Sequence, residues 1–290
     1  MNSISIAIVG GDLRFVRLAK ILCDKGFDTW VYGITHPDLP KNAHIATSLE
    51  DLKTCQYVVG PIPFSRDGKN LFTPLSNKNI SIEMFLENVS NSYLCLSVLK
   101  KDIIKLLDKR QIRYKDLLEM DEVAVLNAIP TAEGAIQYAM ENSEITLNDS
   151  KCLVLGFGRC GKILAHKLKG IGARVYVEAR KTLDLAFIAS YDYVPVPLDE
   201  LKKHLWKFDF IFNTIPIPFL DASYIDLFKK EAVYIELASS PGGIDIPYCE
   251  QTGIHYVPAP SLPGKVAPMT AAAILYQGLS LILREQGEEI

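Results

Sequence analysis

The residues with the clearest chemical meaning are Gly156, Phe157, Gly158, Arg159, Cys160 and Gly161. Their G-x-G-x-x-G spacing follows the apolar run 152–155 and opens a helical pattern over 160–168. In that context the first glycine allows a tight turn, the second lets a pyrophosphate approach the backbone, and the third lets helix and strand pack closely. The unpaired N–H groups of the helix start then meet the anionic ligand. Thr214, Ile215 and Pro216 follow the apolar run 210–212, and Ala238 and Ser239 follow 233–237. These two segments complete the expected cofactor site, with 238–243 on the nicotinamide side.

The choice of dinucleotide turns on Val177-Glu178-Ala179-Arg180-Lys181. An acidic residue at the end of the second strand accepts from the ribose 2′-OH of NAD and repels a 2′-phosphate. Spacing from Gly161 puts Ala179 at that position, leaving Arg180 and Lys181 for charge-assisted bonds to a 2′-phosphate. NADP is therefore expected. The alternative is that Glu178 is the NAD carboxylate and Arg180-Lys181 a solvated turn. Cys160, at a helix start, has either a lowered thiol pKa or simply the small size that the turn needs.

Substrate chemistry falls to three segments. Asn127, Thr131 and Glu133 lie in Asn127-Ala128-Ile129-Pro130-Thr131-Ala132-Glu133-Gly134, where Pro130 predicts a new helix from about Thr131 to Asn142. Its N-terminus would stabilise an anion. Plain capping by Thr131 and a dipole-favoured Glu133 are the bland alternatives. The loop 238–243 is the second segment. The third is 262–268, where Lys265 either pairs with a carboxylate or is a solvated loop lysine. Of His36, His44, His166, His204 and His255, the last three read as structural, His166 and His204 on helix surfaces and His255 opening a strand, which weakens an ordinary 2-hydroxy acid dehydrogenase that needs a proton-exchanging group.

The elements that position these residues alternate between strand and helix. An apolar run at 4–9, a turn at Gly10-Gly11-Asp12, a helical pattern at 13–23 and a strand at 29–32 make one β-α-β unit, and 152–178 makes another. Pro61-Ile62-Pro63-Phe64 follows the run 57–59 just as Pro216-Ile217-Pro218-Phe219 follows 210–212. The expected fold is α/β: two tandem doubly wound Rossmann-like domains whose Pro-Ile-Pro loops face an interdomain cleft. The expected division is 1–128 for a substrate domain and 129–268 for an NADP-binding domain. Residues 269–290 form a C-terminal helix returning to the first domain.

The 290 residues carry a net charge of -3, with 49% hydrophobic and 22% charged residues, which excludes a basic nucleic-acid surface. The six cysteines form no C-x-x-C pair, so no metal and no disulfide framework is expected. No apolar run reaches the roughly 18 to 20 residues of a membrane span, and Met1-Asn2-Ser3-Ile4 lacks the basic start of an export signal. A cytoplasmic protein is expected.

The order of Ile8-Val9-Gly10-Gly11-Asp12, Asn127-Ala128-Ile129-Pro130-Thr131-Ala132-Glu133-Gly134, the glycine fingerprint, Leu237-Ala238-Ser239-Ser240-Pro241-Gly242-Gly243 and Leu262-Pro263-Gly264-Lys265 resembles the family of dipicolinate synthase A subunits over nearly the whole chain. Ser240 stands where many relatives are expected to carry lysine. The resemblance implies a sporulation enzyme of the mother-cell cytoplasm, working with a flavoprotein-like B subunit and forming an oligomer. It implies NADP-dependent oxidation of a dihydrodipicolinate-type dicarboxylate from the lysine pathway to pyridine-2,6-dicarboxylate. Aromatisation drives such a step, so positioning of a dianion by Thr131 and Lys265 matters more than a strong acid or base. A non-catalytic NADP(H)-binding scaffold and an atypical 2-hydroxy acid dehydrogenase are the alternatives.

Overall fold

Ile6, Ala7, Ile8 and Val9 have no exposed surface, so the first strand is covered on both faces, as strands of parallel sheets are. The computed structural model describes residues 3–289. It divides into two units, one of residues up to Asn127 together with those from Pro263 onward, the other Ala128–Leu262.

The first unit holds strands β1 (Ser5–Val9), β2 (Asp28–Tyr32), β3 (His44–Ile45), β4 (Tyr57–Val59), β5 (Tyr93–Leu96) and β6 (Tyr114–Asp116). They run β3-β2-β1-β4-β5-β6, every ladder parallel. Side chains alternate across the sheet. Ile6 and Ile8 therefore face helix α1 (Leu13–Asp24), while Ala7 and Val9 join the core with Phe85 and Leu86 of α2 (Ile82–Val89) and Ile103 and Leu107 of α3 (Lys101–Lys109). Asp12 caps α1 by accepting from the Arg14 N–H, and Phe15, Leu18, Ala19 and Leu22 form its buried stripe.

Between Asp121 and Glu141 the chain forms one helix, α4, with Pro130 inside it. This corrects the expected helix start near Thr131. Proline disfavours a helical residue before it without forbidding one, and its missing N–H removes a single helical bond. What holds the helix across that position is burial of Ala128, Ala132, Ala135 and Ala139, a stripe at helical spacing that ignores the proline.

The second unit repeats the design. Strands β7 (Lys151–Leu155), β8 (Arg174–Ala179), β9 (Val194–Pro197), β10 (Phe210–Asn213), β11 (Val233–Glu236) and β12 (His255–Pro258) lie in the order β9-β8-β7-β10-β11-β12, again all parallel. Helix α5 (Arg159–Gly170) packs on β7 and β8, and α6 (Thr182–Ser190) on β8 and β9. Two shorter helices, α7 (Ala222–Ile225) and α8 (Ile246–Thr252), contribute Ile225 and Cys249 to the core around Ile211 and Tyr234. The two Pro-Ile-Pro segments follow β4 and β10, the fourth strand of each unit, so the duplicated Rossmann-like layout read from the sequence is present.

Past β12 come α9 (Leu262–Val266) and α10 (Pro268–Glu285). Leu275, Leu279, Ile282 and Leu283 of α10 share the core of α1, the return to the first unit expected of the terminal helix. Among the described residues no helix is long and apolar enough to cross a membrane.

Candidate functional site

The three glycines of the fingerprint have three different reasons to be glycine. Gly156 has φ +92°, and a Cβ there would come within 2.8 Å of Thr214 Oγ1. A Cβ on Gly161 would overlap the Gly156 carbonyl. Gly158 has neither problem. It is the N-cap of α5 with φ -80° and ψ -168°, and a Cβ there would meet no protein atom within 4 Å. No side chain caps the helix start, so the first N–H groups of α5 have no side-chain acceptor at the N-cap.

Around this turn the sheet supplies fixed walls. Thr214, just past β10, donates its hydroxyl to the Leu155 carbonyl at 2.8 Å. Ile215 is half-buried beside it and Pro216 is exposed. Cys160 is half-buried, and burial pushes its thiol up to about 12. The lowered-pKa reading of Cys160 is thereby overturned: desolvation outweighs the helix N-terminus, and the residue serves by being small.

At the end of β8, Glu178 is 1% exposed, and its carboxylate accepts the Gly156 N–H. Burial raises its pKa, against the pull of that N–H and of the nearby Arg180 charge. Glu178 is thus tied to the glycine turn by a hydrogen bond. Ala179 is buried beside it, and Arg180 and Lys181 are exposed immediately beyond.

A buried polar network at the ends of β10 and β11 escaped the sequence reading. Asn213 and Glu236 are register partners on adjacent strands, 0% and 5% exposed. Asn213 donates to Glu236 Oε1 at 2.7 Å and to the Ile215 carbonyl at 3.0 Å, and its Oδ1 accepts the Ile215 N–H. Glu236 also accepts from Ala238 N–H at 3.0 Å, Gly243 N–H at 2.9 Å and the Tyr234 hydroxyl at 3.2 Å. Burial raises the Glu236 carboxyl above its usual range, while the Gly243, Asn213, Ala238 and Tyr234 donors pull it back. The available signal was a polar residue closing each of two apolar strands, Phe-Ile-Phe-Asn and Val-Tyr-Ile-Glu.

The substrate candidates are placed differently from expectation. Asn127 and Thr131 are half-buried, four residues apart inside α4, so neither sits at a free helix N-terminus. Glu133 pairs with Lys167 of α5 at 2.8 Å and is 57% exposed, neither a first-turn carboxylate nor a buried acid or base. Lys265 lies on α9 rather than in a loop. In the first unit the neighbouring Gly264 is pressed against a buried ion pair: Arg14, 2% exposed, gives two hydrogen bonds to Asp12, from Nε at 2.8 Å and from one Nη at 2.7 Å. Ala238 is half-buried and Ser239 exposed. His166 and His255 are exposed. His204 is at a junction of two short turns, not on a helix surface, with its pKa lowered by burial. A cavity of about 850 Å³ in the first unit, with Lys25, Tyr276 and Arg284 in its lining, contains none of these candidates.

Comparison with known proteins bears on the whole chain. The family model described as the N-terminal domain of the dipicolinate synthase A subunit matches residues 5–118. The curated A subunit of dipicolinate synthase from Bacillus subtilis (strain 168) is 31% identical over 305 residues, covering 100% of this chain and 99% of the relative. The crystal structure of the dipicolinate synthase A chain from Bacillus subtilis superposes with TM-score 0.87 at 30% identity, over 100% of this chain and 99% of that one. The apo-structure of D-lactate dehydrogenase from Escherichia coli gives TM-score 0.67 at 14% identity, over 98% of both chains, a likeness of fold shared with dehydrogenases. With full-length identity to a curated member and the same pair of Rossmann-like sheets, the chain belongs to the family of dipicolinate synthase A subunits.

Proposed function

We propose that the chain oxidises a dihydrodipicolinate-type dicarboxylate to pyridine-2,6-dicarboxylate with NADP+ as hydride acceptor. It acts in the mother-cell cytoplasm of a sporulating bacterium, beside a flavoprotein-like B subunit. The observation that carries the cofactor is Gly158. Neither its backbone angles nor any protein neighbour requires a glycine, and the open space at its Cβ position adjoins the uncapped start of α5. Close approach by a pyrophosphate accounts for both. The name of the 31% identical relative supports the product and a partner subunit.

When bound, NADP+ supplies the hydride acceptor. The chain's part is binding and orientation. The N–H groups at the start of α5, Arg159 and Cys160 among them, meet the pyrophosphate, and Arg180 and Lys181 meet the 2′-phosphate. Thr214 to Pro216 and Ala238-Ser239 border the nicotinamide half, on the β10–β11 side of the turn. Asn127, Thr131 and Lys265 hold the dianionic substrate, and Glu133 is left out because its carboxylate is taken by Lys167. Aromatisation makes the oxidation downhill, so positioning contributes more than a strong base.

The test is anaerobic mixing of the pure chain with freshly generated precursor and either NADP+ or NAD+, following the ultraviolet absorbance of the product. Product with NADP+ supports the reading, and its loss in Thr131→Ala or Lys265→Ala with NADP+ affinity retained assigns those residues to the substrate. No product with either cofactor sinks the stand-alone enzyme and leaves a nucleotide-binding scaffold for the B subunit.

A further inference from the structure

We infer that Glu236 is a positioning residue of the cofactor site: its buried carboxylate latches together the two loops that border the nicotinamide half, 214–216 and 238–243. This rests on the cofactor reading above. None of the four donors around Glu236 comes from a charged side chain, so the group is not one half of a buried salt bridge. Two of them are backbone N–H groups, at the first and last residues of the 238–243 loop, and converge on opposite carboxylate oxygens. A third, Asn213, links the same oxygen that binds Ala238 to both backbone groups of Ile215.

The loop is shaped to reach this carboxylate. Gly242 has φ +81°, and a Cβ there would stand 3.0 Å from Glu236 Oε2, while a Cβ on Gly243 would run into the Asn213 amide. A larger residue at either position would break the approach. Asn213, Ala238 and Gly243 can only donate here, and they reach both oxygens, so the group at this position must offer an acceptor on each side, as a carboxyl does. Glutamine would turn an NH2 group toward two donors and leave one of them buried without an acceptor.

The strand order says which half of the cofactor this concerns. The glycine turn follows β7, Arg180 and Lys181 follow β8 on one side, and both latched loops follow β10 and β11 on the other. A dinucleotide laid across the switch between β7 and β10 puts its adenosine end toward β8 and its nicotinamide toward the latched loops. Loss of the latch should then weaken the whole dinucleotide and spare its adenine half.

The experiment uses the full chain and Glu236→Gln, with Phe208→Leu as a core variant beyond the opposite end of β10. Binding of NADP+ and of 2′,5′-ADP is measured by titration calorimetry, and exchange of the Ala238 and Gly243 amides by NMR. Glu236→Gln is expected to weaken NADP+ by about tenfold or more, leave 2′,5′-ADP within about twofold, and speed exchange at both amides. Phe208→Leu should lower Tm without that split. Equal loss of both ligands, unchanged NADP+ affinity or unchanged exchange at the two amides would overturn the latch. If the wild-type chain binds neither ligand, the cofactor reading fails, and amide exchange still decides whether Glu236 orders the loops.

Discussion

Replacing Gly158 by alanine separates a ligand's requirement from the protein's own. The added methyl meets no protein atom within 4 Å, and φ -80° suits alanine. Alanine is a poorer N-cap than glycine, by roughly 0.5 to 1 kcal/mol, and it reduces unfolded-state freedom by a similar 0.4 to 1 kcal/mol. The net stability change is therefore within about 1 kcal/mol, or a few degrees in Tm. Binding behaves differently, because the methyl enters the space through which a pyrophosphate reaches the N–H groups of α5. Overpacking of that kind costs about 1 to 3 kcal/mol, and at about 1.4 kcal/mol per decade the Kd for NADPH rises about five- to 150-fold. Fluorescence titration with NADPH and a thermal melt on the same sample measure both. Gly161→Ala is the contrast, since its Cβ would overlap the Gly156 carbonyl and should lower Tm and affinity together. An NADPH affinity for Gly158→Ala within twofold of wild type would refute the argument that a ligand explains this glycine.

Arg180→Ala combined with Lys181→Ala should raise the Kd for NADP+ by about tenfold or more while leaving NAD+ nearly unchanged, because charge-assisted bonds to the 2′-phosphate are worth roughly 1.5 to 3 kcal/mol each. Equal effects on both dinucleotides would remove these residues from the 2′-phosphate site. Gly264→Ala should destabilise the first unit by about 1 to 3 kcal/mol, since its Cβ would crowd Asp12 Oδ2 and Arg14 Nε around a buried ion pair. Chemical denaturation checks this, and an unchanged midpoint contradicts it. Because burial pushes its thiol up to about 12, Cys160 should be almost wholly protonated at pH 8. Iodoacetamide should then label it far more slowly than an unfolded control, as mass spectrometry of the peptides would show.

How much of this was legible in the sequence depends on where the deciding physics is local. The long strands announced themselves as apolar runs, and β7 with its glycine turn was legible in six residues. β3 and β6 carried no such signal: His44 and Ile45 are exposed, and Tyr114 to Asp116 are half-buried, so neither shows an apolar pattern. Helix α4 departs from the local rule for Pro130 because the alanine stripe on both sides of it is buried. Thr131 and Glu133 therefore lie inside the helix and not at its start. Asn213 and Glu236 were missed for another reason. A polar residue after three apolar ones reads as the end of a strand, and only the register of β10 with β11 reveals that two such ends meet.

The two units share a layout but differ at the start of the helix that follows the first strand of each. In both, a strand runs through a glycine turn into a helix. In the first unit the N-cap is Asp12, whose carboxylate accepts the Arg14 N–H and is gripped by the Arg14 side chain. The helix start there already has its anion, supplied by the chain itself, and a phosphate would meet a carboxylate of like charge. Gly11, at φ +102°, has no room for a Cβ against the Phe15 ring, so that glycine is explained by the protein alone. In the second unit the equivalent cap is Gly158, which offers no acceptor and no bulk. The helix start that has an internal side-chain cap in the first unit has none in the second. On the proposed cofactor reading, the difference between Asp12 and Gly158 at this one capping position separates the two units.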